Sequence, residues 1–460
     1  MDESGQTTLP AEHQAKLISG PVWRTLVVLA GPMLVGHLSV ATFNLADTYF
    51  VAQLGTDALA AMGFIFPVVM FVGSLAVGLG IGTSSAISRA IGRGDHHRVR
   101  RLTTYALMLG LLLVAVLLGA GLATIHPLFG AMGARGHVLE LIEQYMTVWY
   151  VGMAFVVVPM VGNFAIRATG DTVSPSAIML VANGLNLVLD PLLIFGLWGL
   201  PRLGIVGAAV ATVIGRATAL IGALAILHFR KRMLTFSRPR AGELWRAWRQ
   251  VLYVGIPAAA TILLGPVSLG VVTWMVSSFG RPAVGALGAG VRVEMFAMMV
   301  VIALASVMTP FAGQNWGARL FGRVRRAHRS AELFGIAWGV LCLGAFFAAS
   351  RPIARLFSAE PLVIDSISLF LRIVPLGYAG GAVAIVTGSG MNGINRPLHA
   401  AALGATRVMG LQIPLAALGG WGFGFAGILA GLALANLLAG GLALLWIRRL
   451  HAAAMPSPAT

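Results

Sequence analysis

The chain has 460 residues, of which 58% are hydrophobic and only 10% charged, whereas soluble domains carry about 25% charged residues. A mean hydropathy of +0.87 excludes most soluble enzyme classes and places the chain in lipid. The net charge of +17 would suggest nucleic acid if gathered on one face, but membrane topology if confined to alternate loops. The single cysteine, Cys342, excludes an internal disulfide framework or a cysteine zinc site.

Residues 1–22 read as a polar tail without the apolar stretch of a signal peptide. Twelve apolar runs follow, near 23–52, 58–87, 101–124, 138–165, 174–198, 204–228, 249–279, 283–312, 330–349, 362–391, 398–419 and 422–447. They are long enough to span a bilayer and lack period-two alternation, so the backbone must be helical. The predicted fold is an all-α membrane protein of twelve transmembrane helices in two pseudo-symmetric six-helix bundles. Residues 23–228 form an N-terminal lobe, 229–248 a basic cytoplasmic linker, 249–450 a C-terminal lobe and 451–460 a C-terminal tail.

Basic residues cluster in alternate loops, 23 on one side against 5 on the other. This asymmetry predicts an inner-membrane protein with both termini cytoplasmic. It also makes a nucleic-acid partner unnecessary. The expected partners are small molecules and the bilayer, and the chain is expected to be a monomer.

Shifting the chain by 225 positions places Pro32 on Pro257, Gly55 on Gly280 and Gly92 on Gly317. The charged run Arg98-Val99-Arg100-Arg101 falls on Arg323-Val324-Arg325-Arg326 in the same register. Four consecutive matches in a charged loop indicate a duplication. Copies with an even number of spans enter from the same side, giving parallel repeats and an alternating-access design.

Three carboxylates, Asp47, Asp190 and Glu294, fall within apolar spans, where a charge costs at least about 2.5–3.5 kcal/mol at mid-helix. Asp47 follows Asn44 by one helical turn, and Asn183, Asn186 and Asp190 share a helical face. In the second copy Asp47 maps to Val272 and Asp190 lies opposite Ile413, so the scaffold itself does not require either acid. We expect Asp47 and Asp190, with Asn44 one turn before Asp47, to form a shared cation site in the N-terminal bundle. Burial disfavours charge and neighbouring carboxylates repel, so such a pair can take up and release a proton. Oxygens of Asn186 and Thr212 would equally suit Na+.

Pro32 lies about four turns before Asp47 and should kink that span, a bend that protonation would change. Glu294 is expected to pair with Arg407 or Arg372 or to contact substrate, with Arg292 close in sequence. The only lysines, Lys16 and Lys231, lie in no phosphate loop, and the ten histidines show no metal spacing. No G-x-S-x-G elbow occurs. An enzyme and a resident cofactor are therefore not expected.

The stretch DTYFVAQLGTDALAAMGF from Asp47 resembles the first-span signature of the multidrug and toxic compound extrusion (MATE) family. RATGDTVSP at 167–175, NGLNLVLDPLLIFG at 183–196 and MTPFAGQNWGARLFGRVRRA at 308–327 agree with it. The resemblance covers both halves and implies the MATE fold of the MOP superfamily. It further implies an antiporter that expels cationic or amphiphilic compounds in exchange for H+ or Na+. It carries functional roles onto Asp47, Asn186 and Asp190, with Pro32 at the bend and Asn163 and Thr212 matching less closely. Spans seven and ten lack the acidic residues of the NorM-like branch, which favours the DinF-like branch and leaves cavity walls such as Met295, Met298 and Met299 to meet substrate. The alternative is a flippase for lipid-linked saccharides of the same superfamily, which would use the in-span arginines Arg216, Arg292, Arg372 and Arg407.

Overall fold

A computed structural model of the chain describes residues 15–454. The N-terminal tail before residue 15 and the C-terminal tail beyond 454 lie outside the described residues. Helices run in the order α1 (Val22–Ala52), α2 (Thr56–Gly92), α3 (His96–Ala131), α4 (Gly136–Val151), α5 (Ala154–Ala168), α6 (Val173–Phe195) and α7 (Ile205–Ala225). The second half continues with α8 (Ala241–Ser277), α9 (Arg281–Gly317), α10 (Phe321–Arg355), α11 (Pro361–Ile373), α12 (Tyr378–Gly393), α13 (Pro397–Ala405) and α14 (Ile413–Ala454). Helix α8 begins at Ala241, inside the expected linker of 229–248.

Two expected spans are interrupted. The fourth is the pair α4 and α5, bent by 47°. The tenth is α11 and α12, joined by a 3-10 turn at Val374–Gly377. From Pro397 the chain is helical for 56 residues, which would measure about 84 Å if straight, far more than the roughly 30 Å hydrocarbon core. It folds back instead. Gly424 breaks the helix with φ 64°, and Gly419 packs on Gly427 while Gly431 packs on Leu415. Those two contacts are centred on the same residue, as in a hairpin, so the run supplies the eleventh and twelfth spans.

Turn geometry recurs at the offset seen in the sequence. Gly55 and Gly280 open α2 and α9 at positive φ, and Gly94, Gly170 and Gly199 share the left-handed backbone with Arg319, Asn395 and Gly424. Arg319 and Asn395 adopt this conformation despite carrying side chains.

The chain divides into two compact units, residues 31–259 and residues 17–30 with 260–454. The divisions fall within α1, just before Pro32, and within α8. In the first unit, Ile87, Val161, Ile166 and Leu227 belong to one apolar core cluster, and Ile65, Phe129, Ile142 and Met153 to another. Close helix approach is possible where side chains are absent. A Cβ on Gly207 would meet the backbone of Leu193, and one on Gly215 the carbonyl of Ala182. These glycines seat α7 against α6.

In the second unit, the segment before α1 is clamped by polar side chains. Arg323 donates to the carbonyls of Gly20 at 2.8 Å, Ser19 at 2.9 Å and Leu17 at 3.3 Å. Its Nε donates to Asn315 Oδ1 at 2.9 Å, and Asn315 Nδ2 donates to the Leu17 carbonyl at 3.0 Å. The Leu17 N–H donates to Gln314 Oε1 at 3.1 Å.

Candidate cation-coupling site

The close packing of α6 on α7 brings Thr212 against Asn186, and both are buried. The Asn186 amide is oriented by its neighbours. Its nitrogen donates to Asp190 Oδ2 at 2.8 Å and Oδ1 at 2.9 Å, one helical turn along α6. Its oxygen accepts from Thr212 Oγ1 at 3.2 Å and from the Thr212 backbone N–H at 3.1 Å. Asp190 is fully buried at 0% exposure, so this donor satisfies a polar group that water does not reach.

Asp47, on α1, is 9% exposed and lies within electrostatic reach of Asp190. Its Oδ1 is buried without a hydrogen-bond partner among the described residues. Two acids from separate helices thus share one dry region, and one of them keeps an unused acceptor.

Tyr145, on α4, completes the group and was not singled out by the sequence, where an aromatic in an apolar span is ordinary. It is buried, lies within electrostatic reach of both aspartates and of Arg216, and its hydroxyl is within hydrogen-bonding reach of Thr212.

Other expected residues lie elsewhere. Asn44 is exposed, and its carbonyl accepts from Thr48 Oγ1 at 2.8 Å; a residue three positions from Asp47 is rotated about 60° around the helix, enough to leave the buried face. Asn183 donates to Ser39 Oγ on α1 at 3.0 Å, tying α6 to α1 rather than holding a cation. Asn163, on α5, has a buried Oδ1 without a partner, and no hydrogen bond joins it to the aspartates. Pro32 lies inside a continuous α1, and Gly36 one turn later packs on Ser176 and Met179 of α6.

In the second unit, Glu294 feels the charge of Arg407, but no ion pair joins them. Arg407 donates from Nε to Asn436 Oδ1 at 2.9 Å, and Arg372 donates to Ser350 Oγ at 3.0 Å. Arg292 is exposed. The expected pairing of Glu294 is therefore corrected: its arginine candidates are bound to neutral partners. Among the described residues no group of three or more His, Cys, Asp or Glu could hold a metal ion.

A family model described as MatE matches residues 32–192 and 257–418. The chain is a member of the MATE family. It is accordingly a multi-pass membrane transporter and not an enzyme. It is 38% identical over 426 residues to a protein of Shewanella oneidensis named FAD transporter, covering 92% of this chain and 94% of that protein. It is 26% identical to the probable multidrug resistance protein YoeA of Bacillus subtilis, with 90% of each chain covered. Its fold matches the Vibrio cholerae MATE transporter VcmN, solved in the bent form, with TM-score 0.89, 29% identity and coverage of 94% of this chain and 98% of that one. This MATE chain therefore carries Asp47 and Asp190 in the first of two family-matched segments.

Proposed function

We propose that this MATE protein exports an organic solute by alternating access in exchange for a cation carried at Asp47 and Asp190. One observation carries the reading: two buried carboxylates lie within reach of each other, and one Asp47 oxygen has no partner. A scaffold gains nothing from such an arrangement, whereas a carrier of exchangeable positive charge requires it. The two family matches begin at Pro32 and Pro257, the offset of the sequence repeat, and this supports two copies of which one alone retains the acids.

We read the exchanged cation as H+, for which the one unpartnered oxygen, Asp47 Oδ1, is enough, whereas a dehydrated Na+ needs several oxygens. A proton on Asp190 would compete with the Asn186 donor, so Asp47 is the position at which it exchanges.

Two cargo readings remain from different evidence. Relatives near 25% identity, named for multidrug resistance or multidrug export, favour drugs. The relative at 38% identity, named for FAD, favours a flavin dinucleotide. We favour the flavin. The flippase alternative finds no support in Arg372, which is engaged by Ser350.

The test is efflux of FAD and of ethidium from proteoliposomes under separately imposed pH and Na+ gradients. The expected result is FAD efflux driven by the pH gradient. Efflux that ignores both gradients overturns the coupling, and ethidium efflux without FAD efflux overturns the cargo.

A further inference from the structure

The second unit holds a mainly apolar cavity with a few polar groups, which the coupling site does not use. It encloses about 240 Å³ between α9, α12, α14 and the π-helical segment Thr406–Gln412. This is below the roughly 300–1,000 Å³ of sites that enclose drug-sized ligands, so it can seat one end of a larger cargo. Such π-helical insertions in an α-helix commonly mark functional positions, and this one carries Arg407.

Three groups meet there with unmet hydrogen-bonding capacity. Glu294 makes no hydrogen bond or ion pair with any described side chain although Arg407 lies within electrostatic reach. Tyr378 is 1% exposed, and its hydroxyl is buried without a partner. Arg407 uses Nε on Asn436 and keeps its terminal nitrogens; a Cβ on Gly381 would stand 3.8 Å from Nη2, and the glycine leaves that space open.

The guanidinium is held in place by a chain of neutral groups. Gln412 Nε2 donates to Asn436 Oδ1 at 3.2 Å, and Ser268 Oγ donates to Gln412 Oε1 at 3.2 Å. None of these groups neutralises Arg407 or Glu294. Met295 and Met298 form the apolar wall, and thioethers pack well on aromatic rings. Met299 lies outside the cavity lining.

A guanidinium and a phenol donate while a carboxylate accepts, so the cavity presents donor and acceptor groups beside a soft wall. A cyclic imide in a flat ring has the complementary pattern: two carbonyl acceptors flanking one N–H donor. We propose that this cavity is the recognition subsite for the imide edge of the cargo's isoalloxazine ring. Glu294 accepts the imide N–H, and Arg407 and Tyr378 donate to the flanking carbonyls. The assignment rests on the flavin reading of the cargo.

The test compares export of FAD and of FAD methylated on the imide nitrogen, in proteoliposomes bearing wild type, Glu294→Gln or Glu294→Met, with thermal unfolding as the control for folding. The wild type should export the methylated compound at least about tenfold more slowly, the loss expected for one charge-assisted hydrogen bond. Folded Glu294→Met should lose that discrimination along with most FAD export, and Glu294→Gln should keep part of both. Equal export of the two compounds by wild type, or undiminished discrimination in Glu294→Met, rejects the subsite while leaving the flavin cargo standing. Export of neither compound by wild type rejects the flavin cargo and the subsite with it.

Discussion

Asn186 donates from one amide nitrogen to both oxygens of Asp190, at 2.8 and 2.9 Å, while its own oxygen is held by Thr212. The carboxylate is thereby supported by a donor one helical turn away on α6. Asp47 has no equivalent support on Oδ1. The two acids are thus unlike: Asp190 is held by the Asn186 amide, and Asp47 keeps an oxygen without a partner.

Asn186→Ala removes the donor to Asp190 and the acceptor for the Thr212 N–H. Leaving a buried polar group unsatisfied costs about 1–3 kcal/mol. We expect a lower unfolding temperature for the detergent-solubilised variant and weaker coupling. Replacement by Asp should be worse than Ala, because it adds a third acid to the site. Unchanged unfolding and coupling in Asn186→Ala would show that the amide does not hold Asp190.

Asp171 lies between α5 and α6, outside the spans, and gives a pH signature. Burial raises its proton affinity, but donation from the Ser174 N–H at 3.0 Å, Ser174 Oγ at 2.8 Å and Lys231 Nζ at 2.9 Å outweighs this and holds the carboxyl below its usual range. A group depressed in the folded state stabilises above its unfolded value, about 3.9, and that stability is lost as pH falls through the folded value. Asp171→Asn should therefore unfold at lower temperature than wild type at pH 7, with the gap closing below about pH 4. A gap independent of pH would assign the effect to packing.

Arg323 is the hub of the clamp on residues 17–20, with three backbone carbonyls and Asn315 as acceptors. Lysine cannot reproduce this fork. Arg323→Lys should speed amide hydrogen exchange at residues 17–20 by about tenfold or more, the equivalent of about 1.4 kcal/mol. Exchange matching wild type would mean that Gln314 and Asn315 suffice.

The parts of this design legible in the sequence were those that break a rule of the membrane. Asp47, Asp190, Asn186 and Thr212 stand out because a polar side chain is costly in an apolar run, and the repeat identified the acids as additions to the scaffold. Tyr145 could not be found that way, since tyrosine is ordinary in a span and its role depends on α4 packing near α1, α6 and α7. Glu294, Arg407 and Tyr378 come from three separate segments, so only folding brings them together. The misplacement of Asn44 arose from spacing alone: three residues along a helix is near the same face but not on it. The helix count was legible, whereas the bend between α4 and α5 and the insertion at Thr406–Gln412 were not, because neither is forced by proline or composition.

The most direct test is gradient-driven FAD accumulation in everted vesicles with wild type and Asp47→Asn, read beside equilibrium FAD binding to the purified proteins. Asparagine cannot carry the exchanging proton, so the variant should bind FAD within about threefold of wild type, under 1 kcal/mol, yet show no accumulation above the level without a pH gradient. Accumulation by Asp47→Asn at the wild-type level and with the wild-type pH dependence would contradict the account.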